Sequence, residues 1–148
     1  MAEPRRSRGR GERVRVTKKH MRAPLPKRNF RVFLGREEIG MLSVGPLHWM
    51  VEGEADPELR QTVTLRRAVS QDRRLYDWYR AVATGKEDQR ALTIVQLDCP
   101  DGTAVNIWRL EKATPVRWTG PGFDALSDGF AVEELEVRYA AIAWRSTL

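Results

Sequence analysis

Cysteine, histidine and long apolar runs are all scarce in this chain, and each scarcity excludes something. A single cysteine, Cys99, rules out an internal disulfide framework and fits synthesis in the cytoplasm. The two histidines, His20 and His48, form no metal-ligand spacing with Cys99, so neither a metal nor any other cofactor is expected. No apolar stretch approaches the roughly 18–20 residues of a membrane helix, and the basic N-terminus lacks the apolar centre of a secretory signal. Stable membrane insertion is therefore not expected. No glycine-rich phosphate loop, nucleophile elbow or zinc-protease pattern occurs. Asp98 and Asp101 suit a turn better than an acid/base pair. The chain does not read as an enzyme.

Charge is present but segregated. Residues 1–28 carry eleven Lys or Arg against Glu3 and Glu12, a net of +9, whereas residues 29–148 carry a net of −3. The first segment has few bulky apolar residues and reads as an extended basic arm preceding one domain over 29–148. Arg5, Arg6, Arg8, Arg10 and Arg13 are its candidate contacts to a polyanion through counterion release. The arm contains no aromatic side chain for base stacking, which makes a merely solvated terminus an equal reading.

The most structured stretch is Thr62–Gly85. Thr62–Leu65 suits a strand, Ser70 an N-cap, and Asp72 the first turn of a helix over about 70–84. Leu75, Trp78, Tyr79 and Val82 form one apolar stripe, the core side of that helix, and Gly85 sits where a left-handed cap belongs. No other segment has this periodicity.

The rest reads as strand. Phe30–Leu34 opens the domain, and Ile39–Val51 holds two short extended pieces, the second carrying His48 and Trp49. Ala91–Cys99 and Ala104–Glu111 flank Pro100-Asp101-Gly102, where glycine would supply a positive φ. Both strands are apolar on both faces, with Ile107 beside Trp108, and should be covered on both. Val116–Thr119 reads as a separate short piece. Val132–Trp144 reads as one strand whose polar face turns apolar at Ile142 and Trp144. Six or seven strands and one helix predict a mainly-β, two-sheet sandwich or barrel with one flanking helix. The five tryptophans fit core or subunit contacts better than ligand stacking.

The order of these pieces resembles the tail tube proteins of contractile phages and phage-tail-like injection systems. That family has a Val-Thr-Leu-Lys-Arg strand before a helix carrying Trp, and here Val63–Arg67 precedes Trp78. Its hairpin ends in a Trp-containing strand, as in Ile107-Trp108-Arg109-Leu110, followed by Ala-x-Pro and Gly-Pro, as in Ala113-Thr114-Pro115 and Gly120-Pro121. Its last strand is similar to Val132–Tyr139. Ala68 replaces a usual glycine, Ala140-Ala141 replaces Glu-Gly, and Glu52–Gln61 is much shorter than the family's long arm.

The resemblance implies a tail-tube-like β-barrel that joins five copies of itself in a homohexameric ring. Rings would stack inside a sheath, contact baseplate or tube-end proteins, and conduct DNA or a protein cargo. It makes Ile142, Trp144, Ile107 and Trp108 subunit-interface candidates. The place of the protein would then be a phage tail or a phage-tail-like injection particle. The competing class is a β-barrel nucleic-acid-binding module with a basic N-terminal arm.

Overall fold

A computed structural model describes residues 23–50 and 61–147. In chain order the elements are β1 (Phe30–Leu34), β2 (Glu37–Glu38), β3 (Ser43–Gly45), β4 (Thr62–Ala68), α1 (Arg74–Ala83), β5 (Arg90–Leu97), β6 (Ala104–Thr119), β7 (Val132–Arg138) and β8 (Ala141–Ser146). The chain is mainly β with one helix, as expected. The eight strands form one antiparallel sheet in the order β2-β1-β5-β6-β7-β4-β3, with β8 pairing β6 off this path. Among the described residues the sheet does not close, so the expected barrel is an open, folded sheet with two halves.

The fold of the sheet lies in β6. Its first part pairs β5 on one side and β8 on the other, and its last part pairs β7. Two irregularities permit the transfer. Lys112 adopts φ 54°, and the register against β7 shifts between Pro115 and Arg117. A proline has no N–H to donate, so it is tolerated where the ladder is already interrupted. The predicted break at Pro115 is therefore a bend inside one sixteen-residue strand.

The opposite correction applies to Val132–Trp144. Tyr139 and Ala140 separate two strands that belong to different halves: β7 lies between β6 and β4, while β8 runs along the first part of β6. The Tyr139 N–H donates to the Gln61 carbonyl and the Ala140 N–H to that of Glu111, which carries the chain from one half to the other. The polar-to-apolar change seen in the sequence follows from this crossing, because the side chains meet new neighbours beyond it.

The core between the halves contains Val32, Leu34, Ile39, Val63, Leu65, Leu92, Leu110, Leu135 and Val137, closed by Leu75 and Trp78 of α1. Of the predicted stripe, Leu75 and Trp78 are buried, and Tyr79 and Val82 are partly buried against the same cluster. Tyr139 is 2% exposed; its hydroxyl donates to the His48 carbonyl and accepts from the His48 N–H at 3.2 Å. Burial pushes that hydroxyl pKa up, keeping its proton in place for the bond. His48 and Trp49 lie outside any strand, contrary to expectation, and Trp49 is exposed. The backbone of His48 is satisfied by the tyrosine instead of a ladder.

The helix starts later than its sequence signals suggest. The residue ahead of the first turn is Arg73, with no side-chain cap, and the Ser70 hydroxyl accepts from the Asp72 N–H instead. Asp72 precedes the helix and accepts from the Arg74 N–H at 3.1 Å. Its carboxylate also receives Arg74 Nη2 at 2.7 Å and Arg67 Nη2 at 3.0 Å. Arg74 Nη1 reaches Glu37 Oε2 at 3.3 Å. One carboxylate thus joins α1 to β4 and, through Arg74, to β2. At the other end the expected cap is present: Gly85 has φ 100° and donates to the Val82 carbonyl.

This cluster has a pH signature. Hydrogen bonding from the Arg74 guanidinium, then from the Arg74 backbone N–H and the Arg67 guanidinium, holds the Asp72 carboxyl well below the usual carboxylate range against the opposing effect of burial. The stabilisation is fully present above the ordinary aspartate pKa of about 4 and is lost as pH falls through the depressed folded value. Asp72→Asn should therefore unfold at lower urea than the parent at pH 7. The gap between the two should narrow at pH 3, measured by equilibrium unfolding at both. A gap that stays constant would show that charge at Asp72 is not what the arginines recognise.

The β5–β6 connection corrects one detail. Positive φ falls on Asp101, at 52°, and not on Gly102. Gly102 is needed for room, because a Cβ there would strike the Asp98 carboxylate and lie 2.9 Å from the Cys99 carbonyl oxygen. Asp98 Oδ1 accepts from the Thr103 N–H at 2.8 Å, the turn role expected of it.

Candidate assembly surface

The four interface candidates from the sequence lie in β6 and β8, which pair directly. Trp108 stands opposite Trp144, and their rings stack at 5.6 Å between centroids and 15° between planes. Trp144 Nε1 donates to Asn106 Oδ1 at 3.0 Å. Ile142 stands opposite Leu110; both Ile142 and Trp108 are partly buried against the core. Ile107 is on the other face of the strand, in a row with Arg31, Val95 and Arg145 across four strands. Trp144 alone of the four is mainly solvent-facing, at 67%. The structure thus joins three of the candidates on one face and separates the fourth. Arg5, Arg6, Arg8, Arg10 and Arg13 lie outside the described residues.

The edges of the sheet differ in protection. β2 is two residues long and carries Glu37 and Glu38, charges that discourage a further strand. β8 is six residues, AIAWRS, with a single charge and no proline. Among the described residues it pairs β6 on one edge and no strand on the other. A strand of this length and composition is a template for pairing with another chain. Sequence reading missed it, because it treated β7 and β8 as one strand with a single set of neighbours.

A second exposed element escaped sequence reading altogether. The connection from β6 to β7 carries Phe123, Leu126 and Phe130 at 87%, 95% and 88% exposure. Its Gly, Pro and Asp content reads as turn chemistry, and three large apolar residues spaced three and four apart were the available signal. The segment is internally braced. Asp124 Oδ1 accepts from the Leu126 N–H at 3.0 Å, and the Ser127 hydroxyl accepts from the Gly129 N–H at 3.1 Å.

The candidate chemistry elsewhere is sparse. Among the described residues, no group of three or more His, Cys, Asp or Glu side chains is placed to hold a metal ion. Also among them, no helix is long and apolar enough to cross a membrane.

The antiparallel sheet with one helix has counterparts among solved structures of contractile injection systems. The chain superposes on a chain of the sheath-tube complex of an extracellular contractile injection system with TM-score 0.73 and 23% identity, covering 88% of this chain and 97% of that one. It superposes on one from the sheath/tube terminator of such a system with TM-score 0.71 and 24% identity, covering 84% and 98%. Hcp1 from Flavobacterium johnsoniae matches with TM-score 0.58 and 10% identity, covering 80% and 95%. No curated protein shows significant sequence similarity to the chain.

The chain belongs to the T4-like virus tail tube protein gp19 family, whose model matches residues 57–143. It is thus a structural tube protein of phage-tail-like particles, the first of the two readings taken from the sequence. Neither the family nor the similar structures lend support to the nucleic-acid-binding alternative.

Proposed function

We propose that six copies of this chain close into a ring of the inner tube of a contractile phage tail or phage-tail-like injection particle. Rings stack within a sheath, meet baseplate or tube-end proteins, and conduct DNA or a protein cargo. The domain at 29–148 supplies the ring, and the basic arm at 1–28 is an appendage to it. The observation that carries this reading is the β8 edge. Within a family of tube proteins, a six-residue strand whose outer edge pairs no strand among the described residues calls for a second copy to satisfy its N–H and C=O groups. A contact between unlike surfaces of identical subunits closes into a ring when the rotation permits.

The full-length protein, viewed by negative-stain microscopy and sedimented across a concentration series, should form six-membered rings. A chain that stays monomeric at high concentration overturns the proposal and returns attention to its basic arm. The ten-residue connector from Glu52 to Gln61 is short for the family, so single rings should outnumber long tubes. Single rings assign the chain to a tube end, and long spontaneous tubes assign it to the bulk of the tube.

A further inference from the structure

We infer that the β6–β7 connection of one copy docks into a groove between the start of β1 and the approach to β3 on the next copy. The inference rests on the ring reading and names the surfaces that would make the contact. The groove, of about 530 Å³, is lined by Phe30, Met41, Leu42 and Val44 together with Ser43, Lys27 and Arg28. Leu42 is 56% exposed within it. The connection presents the complementary set: Phe123, Leu126 and Phe130 as apolar anchors, flanked by Asp124 and Asp128. Apolar centres and opposite charges thus correspond on the two surfaces. The connection does not occupy the groove of its own chain, since all three anchors are at least 87% exposed.

Three further features favour a second copy of this chain as the occupant. Three large apolar side chains, each at least 87% exposed within eight residues, are costly to leave in water, and such clusters on soluble proteins mark contact sites. Aromatic anchors entering apolar pockets, ringed by charges, are the usual composition of energetically dominant contacts. The bracing of the connection by Asp124 and Ser127 fixes its shape before binding, which reduces the ordering cost of association. Connection and groove are different surfaces, so one contact per pair of copies runs head to tail, the arrangement a ring requires.

The test uses two full-length variants. In the first, Phe123→Ser, Leu126→Ser and Phe130→Ser remove the anchors; in the second, Lys27→Glu, Arg28→Glu and Leu42→Glu disable the groove. All six positions are exposed, so both variants should fold. Each alone should need at least about ten times the wild-type concentration for half assembly. Mixed in equal amounts, the pair retains one intact connection and one intact groove. Sedimentation should then show a dimer that grows no further.

Restoring charge complementarity should also restore rings. Asp128→Lys should assemble poorly alone and recover when combined with Lys27→Glu and Arg28→Glu. Rings formed by the anchor variant at wild-type concentrations would overturn the inference alone. So would a mixture that stays monomeric. An anchor variant that keeps its rings but loses folding stability would place the connection on its own groove and overturn the inter-copy contact. A wild-type protein that is itself monomeric would overturn the ring reading, and this inference with it.

Discussion

Replacing Trp78 with alanine should cost about 3–5 kcal/mol of folding stability, a large part of the 5–15 kcal/mol typical of a domain. Trp78 is 1% exposed and lies where α1 closes the core between the two halves of the sheet. Its removal leaves a cavity walled by strands that cannot collapse without breaking their ladders, so little of the lost packing is recovered. Two polar contacts go with it. The indole N–H donates to the Asp88 carbonyl at 2.8 Å, and the Arg90 guanidinium lies 5.1 Å from the ring centroid. The first ties the end of the helix region to the entry into β5, and its loss adds the penalty of an unsatisfied acceptor. Urea unfolding followed by circular dichroism should show a midpoint far below the parent's with a similar slope. A variant within about 1 kcal/mol of the parent would mean that α1 contributes little to the core.

Trp144→Ala should act on assembly instead of folding. The residue is 67% exposed within β8, whose outer edge pairs no strand among the described residues, and its fold-level contacts are the stack on Trp108 and one bond to Asn106. Losing an aromatic stack at such exposure costs about 1 kcal/mol, which leaves the chain folded. A bulky indole at an interface is worth at least about 2 kcal/mol when truncated, or roughly thirty-fold in affinity. Because the proposed six-membered ring repeats the contact, rings should disappear at concentrations where the parent assembles fully. Sedimentation against concentration, with unfolding measured on the same samples, separates the two effects. Rings that persist would remove Trp144 from the contact, and a chain that unfolds would place it in the core.

Trp78 and Trp144 also mark the boundary between what sequence and structure decide. The apolar stripe of α1, the capping glycine Gly85 and the turn role of Asp98 are local relations within a few residues of chain. Backbone geometry alone makes these recur with helical or turn spacing. The alternation of Leu135 and Val137 with Glu134 and Glu136 is equally local, and both sets lie on the faces that alternation implies. Glu133 shows where this stops. It is buried on the apolar face, opposite Arg67 in the register, and accepts from Trp118 Nε1 at 3.0 Å. Nothing adjacent to it in sequence signals that partner. The motif resemblance identified the family because it used the order of many such local pieces at once.

Strand identity, by contrast, depended on partners far along the chain. Pro115 reads as a terminator until β7 is present to accept a bulge, and Val132–Trp144 reads as one strand until β4 and β6 claim different parts of it. By residue preference Ser70 and Asp72 are equally good N-caps. Asp72 takes the position that matters because Arg67, held in β4, and Arg74 converge on it. The β8 edge left unpaired among the described residues and the exposed side chains of Phe123, Leu126 and Phe130 follow from the same pairings. Local periodicity determined the helix, the turns and the inward faces. Only the closing of long-range ladders, whose entropy cost and reward lie outside any short window, decided which strands are continuous and which edges the described strands leave unpaired.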